Sequence, residues 1–144
     1  MLRPMSDPKL EALAKVPLFA HCGHKELEFL ASRADQVDVG AGHRLTQQGS
    51  LGDTFYILLE GEAEVAVDGR PRPNLQAGDF FGEISMMDRG PVTATVVTRT
   101  PARLMVMSHA QFRDAIRASD PLLSAVLAAA AERLRRDSLN RSQA

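Results

Sequence analysis

Between residues 36 and 107 glycine, proline and aspartate cut the chain into runs of about four to eight residues, and that rhythm limits its fold more than any other feature. Runs so short and numerous read as strands of an all-β sandwich or barrel, since helices in globular proteins usually need ten residues or more. Strands are expected near 36–39, 43–47, 54–59, 63–67, 74–76, 93–98 and 103–107. Gly40 and Gly42 flank one turn and Gly49 and Gly52 another, while Asp68-Gly69 suits the positive φ angles of a tight hairpin. Pro71 and Pro73 cannot donate to a ladder and mark an edge.

Helical periodicity brackets this region. Residues 7–15 carry Leu10, Leu13 and Ala14 at helical spacing until Pro17 interrupts, and residues 24–33 oppose Leu27, Leu30 and Ala31 to Lys25, Glu26 and Glu28. The period returns at 111–118. Asp120-Pro121 then starts a last helix, a capping residue followed by proline at the first position, which is expected to run to about residue 137. Along it Leu123, Leu127, Ala130 and Leu134 form a stripe that would cover the strands or meet a second copy of the chain in a homodimer. Arg133, Arg135 and Arg136 crowd the last turns, where they complement the helix dipole and face water. One domain over 1–144 is expected, with helices at about 7–33, a barrel at about 36–107 and C-terminal helices at about 109–138.

At 144 residues the chain can hold a core without disulfides or a structural metal, but not two full domains. Its net charge of -1 removes the electrostatic drive that supplies most non-specific affinity for nucleic acid. The apolar run 122–131 is far below the roughly 18 residues of a membrane span, and residues 1–10 hold prolines and charges where a signal peptide would be apolar. The expected setting is the cytoplasm, with Cys22 reduced and no direct contact with nucleic acid or membrane. Arginine outnumbers lysine and alanine is abundant, which suggests a bacterial source. Too few residues follow 137 for a helix-turn-helix module, so the output of a sensor would lie in another protein.

The segment from Gly78 to Val96 carries the chemistry. A strand ends at a glycine and a turn of helix begins at Glu83, so successive backbone N–H groups form a ready anion site. Gly82 permits the close approach of a ligand, and the Glu83 carboxylate is placed to accept hydrogen bonds from sugar hydroxyls. Such a pocket suits a phosphate joined to a ribose. Structurally, Glu83 could equally be a first-turn carboxylate on the helix dipole, and Thr93 and Thr95 ordinary strand residues.

This segment resembles the phosphate-binding cassette of the cyclic-nucleotide-binding domain family: F-G-E, an aliphatic, a small residue, two aliphatics, a short spacer, then P-R-[ST/A]-A-[ST]-V. Here it reads F-G-E-I-S-M-M-D-R-G-P-V-T-A-T-V. Val16-Pro17-Leu18-Phe19, Gly49 through Asp53, Phe55-Tyr56-Ile57-Leu58 and Gly61 extend the likeness over nearly the whole chain. The resemblance implies an α+β, mainly β fold: an eight-stranded jelly-roll β-barrel flanked by N-terminal helices and a C-terminal hinge and lid helix pair. It implies cyclic AMP or cyclic GMP as the ligand, cyclic AMP being favoured, and a site made of Gly82, Glu83, Ile84, Ser85, Val92, Thr93 and Ala94 with Val65 and Leu75. In it Glu83 would bind the ribose 2'-hydroxyl, the N–H groups of Ile84 and Ser85 would face the cyclic phosphate, and the Thr93 hydroxyl would donate to it. Val65 and Leu75 would line the base, and the last helix would set Asp137 and Ser138 against the adenine.

One position departs from that pattern, because the family's phosphate-binding arginine falls on Val92. Losing one hydrogen bond to a charged partner costs roughly 1.5 to 3 kcal/mol, so affinity is expected to fall roughly tenfold to over a hundredfold. Arg89, three residues upstream, or Arg72 could replace the lost charge. Alternatively the pocket takes an uncharged nucleoside, or the domain is a ligand-deaf scaffold.

The expected function is a non-enzymatic module that binds a cyclic nucleotide and relays it, by movement of its C-terminal helices, to a separate protein effector. A cupin-like metalloenzyme is the rival, but it needs an H-x-H pair that this chain lacks. No cofactor or metal is expected: His21-Cys22-Gly23-His24 is spaced too tightly for a usual zinc pair, and His43 and His109 are isolated. Met86, Met87, Met105 and Met107 are expected to pack in the interior.

Overall fold

A computed structural model describes residues 8–142, with side chains from residue 9 to residue 136. The expected start of the first helix at Asp7 lies outside the described residues. The chain runs through α1 (Pro8–Ala14), a 3-10 turn (Pro17–Phe19), α2 (His24–Arg33), β1 (Asp35–Val39), β2 (Arg44–Thr46), β3 (Thr54–Glu60), β4 (Ala63–Val67) and β5 (Arg70–Leu75). It continues through β6 (Phe80–Phe81), α3 (Glu83–Asp88), β7 (Thr95–Thr98), β8 (Ala102–Ser108), α4 (His109–Ala118) and α5 (Asp120–Ser142).

The strands form two four-stranded antiparallel sheets, ordered β1-β8-β3-β6 and β2-β7-β4-β5. A closed barrel is not found. Among the described residues no strand ladder joins the sheets, whose ends include β2 and β6, only three and two residues long, and β5, in which Pro71 and Pro73 have no N–H to offer a further strand. The prolines do mark an edge, as expected. The strand they occupy nevertheless starts at Arg70, well before residue 74, because an edge strand tolerates them. Its register carries an irregularity: Val65 opposes Arg72 while Ala63 opposes Leu75, so β5 holds one extra residue across this pair. At the other end of the cassette the expected strand 93–98 is ordered as strand only from Thr95.

Period-two alternation sorts the core. On β3, Phe55 and Ile57 join the N-terminal segment, α4 and α5 in one apolar cluster with Leu13, Leu30, Phe112 and Val126. Leu58 on the opposite face of β3 belongs to a second cluster with Ala63, Phe81, Val96 and Leu104 from both sheets. β8 divides likewise, Met105 and Met107 toward the helices and Ala102 and Leu104 toward the other sheet. Met86 is also buried, but Met87, expected inside, is 40% exposed.

The last helix has the expected period with a different phase. Leu122, Val126 and Ala130 are buried, whereas Leu123, Leu127 and Leu134 of the expected stripe are exposed. The entry of the helix explains the shift. Ser119, not Asp120, caps it: the buried Ser119 hydroxyl accepts from Leu122 N at 3.1 Å, which anchors Leu122 inward.

Candidate ligand-binding site

The site grows from the junction of β6 and α3. Gly82 has φ 90°, and a Cβ there would stand 2.5 Å from the Thr54 carbonyl oxygen of β3. Glycine is therefore required here by a neighbouring backbone, a reason the sequence did not offer. Gly52 is confined similarly, since a Cβ would collide with the Ser85 side chain. The loop after α3 is tied to the same segment: Gly49 N donates to Val92 O and Val92 N to Ser50 O, each at 2.8 Å. Ser85, buried, donates to Pro91 O at 3.3 Å.

These ties enclose a cavity of about 390 Å³, within the size range of small-molecule sites. Its floor is the inner face of the second sheet, with Val65, Val67 and Val96. Gly82, Glu83, Ile84 and Ser85 line it from α3, and Val92, Thr93 and Ala94 from the loop that follows. Leu75 and Arg72 line it from β5, and Arg133 and Arg136 from α5. The residues expected at the site are thus brought together, with two groups of exceptions. Arg89 ends α3 with φ 56° and places its guanidinium 3.5 Å from His109 Nδ1, outside the lining. The side chains of Asp137 and Ser138 lie outside the described residues.

Glu83 is only 1% exposed. A buried carboxylate needs a cation, and it has one: Arg133 Nη1 donates to Oε1 at 2.7 Å and Oε2 at 2.9 Å. The same guanidinium donates to Phe80 O and lies 4.5 Å from the centre of the Phe80 ring. The sequence reading assigned the arginines of the last helix to solvent and missed this residue. A signal existed, because Leu122, Val126, Ala130 and Arg133 continue one helical stripe, a phase earlier than the expected one. Behind the site, Tyr56 stacks on Phe81 with ring centres 4.6 Å apart and donates to Leu45 O at 3.1 Å. Burial pushes its phenol above the ordinary range, so it remains a neutral donor.

The sequence pattern of the family described as "Cyclic nucleotide-binding domain" matches residues 36–119. The chain belongs to this family. It is 34% identical over 104 residues to the cAMP-dependent protein kinase regulatory subunit of Aspergillus fumigatus, a match covering 70% of this chain and 25% of that protein. Over 135 residues it is 31% identical to the CRP-like cAMP-activated global transcriptional regulator of Mycobacterium tuberculosis, covering 90% and 60% respectively. The chain thus spans between 25% and 60% of the length of these curated relatives. Among solved structures, the Thermus thermophilus Catabolite Activator Protein superposes with a TM-score of 0.79 at 25% identity, over 88% of this chain and 62% of that one. The regulatory domain of Toxoplasma gondii PKA, crystallised with cAMP, shares the fold with a TM-score of 0.75 at 22% identity, over 89% and 49%.

Among the described residues no three His, Cys, Asp or Glu side chains gather where they could hold a metal ion. Cys22 Sγ sits 3.9 Å from Ser119 Oγ, and burial pushes its thiol pKa up. No helix of the described residues is long and apolar enough to cross a membrane.

Proposed function

We propose that the cavity binds a cyclic nucleotide, cyclic AMP ahead of cyclic GMP, and that the domain relays the bound state through α5 to a separate protein effector in the cytoplasm without catalysing a reaction. The observation that carries this is the Glu83 to Arg133 pair, which joins the floor of the cassette to the C-terminal helix inside the cavity. A carboxylate has about four acceptor sites. With Arg133 occupying one on each oxygen, Glu83 can still accept from a ribose 2'-hydroxyl. The ligand then shares Glu83 with α5, so the free energy holding the helix differs between the empty and the filled cavity. Such a difference is what a ligand needs to shift a helix between positions.

Ile84 and Ser85, in the first turn of α3, would turn their N–H groups to the phosphate, with the Thr93 hydroxyl beside them. Val92 stands where the resemblance puts the phosphate-binding arginine, so affinity is weak. An uncharged nucleoside is the second reading, favoured by the apolar Val92 side chain in the cavity wall.

Thermal unfolding with cyclic AMP, cyclic GMP, 5'-AMP and adenosine, on this protein and on Val92→Arg, separates these. A ligand at one hundred times its dissociation constant stabilises the fold by about 2.7 kcal/mol. Cyclic AMP should stabilise the unmodified protein at millimolar concentration and Val92→Arg at a lower one. Stabilisation by adenosine equal to that by cyclic AMP supports the nucleoside reading. Silence of both proteins toward every ligand means a scaffold.

A further inference from the structure

We propose that Arg72 is the charge partner of the bound nucleotide: its guanidinium, at the cavity wall on β5, holds the negatively charged phosphate in place of the arginine missing at Val92. This rests on the nucleotide reading of the cavity and adds the residue that makes an anion tolerable there.

Five charged side chains line the cavity. Glu83 and Arg133 neutralise each other. Arg136 is largely exposed and lies 3.8 Å from Glu132 on its own helix. Asp79 accepts from Gln76 N at 2.8 Å. Among the described residues Arg72 has no ion pair, and its Nε is buried there without a hydrogen-bond partner. Arginine cannot escape by losing its proton, so an acceptor arriving in the cavity would supply the partner this donor lacks.

The backbone aims it there. In a regular strand Leu75 and Arg72, three residues apart, would point to opposite faces. The extra residue in β5 turns both toward the cavity, Leu75 opposite Ala63 and Arg72 opposite Val65. Pro71 and Pro73 fix φ on either side of Arg72, so its backbone is held before any ligand arrives. Arg72, Val65, Val96 and Thr46 are joined pairwise across the sheet in one row, all of them in the lining. The row sets an apolar floor with a cation at its edge, a complement to a purine nucleoside carrying one negative charge.

A purine edge can also supply acceptors: guanine offers N7 and O6, adenine only N7 beside a donor. Calorimetric binding of cyclic AMP, cyclic GMP, adenosine and guanosine to the protein, Arg72→Gln, Val92→Arg and the double variant separates the two sources. A charge partner predicts that Arg72→Gln weakens both cyclic nucleotides alike, roughly ten- to a hundredfold, leaves both nucleosides unchanged, and is rescued by adding Val92→Arg. Without ligand, Arg72→Gln should melt no lower than the unmodified protein, because the cation it removes has no ion-pair partner among the described residues. Loss confined to cyclic GMP and guanosine would overturn the proposal in favour of base reading. Unchanged affinity for cyclic AMP in Arg72→Gln would overturn it outright while leaving the nucleotide site standing. Absence of all binding, Val92→Arg included, would end the nucleotide reading and this assignment with it.

Discussion

Glu83 is 1% exposed, and Arg133 meets both of its carboxylate oxygens. Removing one partner of such a pair strands the other, and Arg133→Ala should destabilise the fold by about 3 kcal/mol, near the low end for a buried charge because the cavity offers it some access. Adding Glu83→Gln should recover part of that loss in a denaturant titration, since no charge is then left unpaired. A double variant no more stable than Arg133→Ala would deny the pairing. Glu83 was legible in the sequence because F-G-E sits at a strand-to-helix turn. Gly82 was legible as the glycine of that turn, but the Thr54 carbonyl that excludes a side chain there was not, since it lies 28 residues away along the chain. Arg133 was not read, because its partner lies 50 residues upstream and the stripe that sets it apart from Arg135 and Arg136 was read a phase late.

At the scale of elements, the helix and strand periods were readable and their phases and edges less so. The stripe of α5 turns on Ser119, whose hydroxyl caps the helix and sets Leu122 inward. Val126, fully buried, and Leu127, 50% exposed, are therefore opposite in consequence. Val126→Ala should cost about 2 kcal/mol and Leu127→Ala almost nothing; equal losses in chemical unfolding would contradict the observed phase. The bulge of β5 had no reading in advance, since Pro71 and Pro73 announce an edge but not which residues face inward. Across β1 and β8, Arg103 donates to both oxygens of Asp38, at 2.9 and 3.3 Å. This holds the Asp38 carboxyl below its ordinary value of 3.8. A folded pKa below the unfolded one gives stability that is present above the unfolded value and lost as pH falls through it toward the folded value. Asp38→Asn should therefore lower the unfolding midpoint slightly at neutral pH, the pair being exposed, and the gap should close under acid. A gap that persists below the folded pKa would assign the effect to packing instead.

Over the whole molecule, helices cover one face of the first sheet while the cavity opens against the inner face of the second, and α5 reaches from the helical cluster to the cavity through Arg133. The strand-rich middle between helical ends was legible from turn chemistry alone. The pairing of strands into two sheets was not, because antiparallel partners such as β1 and β8 are more than 60 residues apart. The resemblance supplied the strand number, but among the described residues the seams that would close a barrel lack a ladder. The arrangement joins the Glu83 carboxylate of the cavity to the last helix at one charged contact. The most direct test is a two-dimensional amide NMR titration of the isotopically labelled protein with cyclic AMP into the millimolar range. Shift changes should concentrate at residues 82–85, 92–94 and 72–75, with a second set around Arg133 on α5. Spectra unchanged at saturating cyclic AMP, or changes that spare both the cassette and α5, would contradict a nucleotide site coupled to the C-terminal helix.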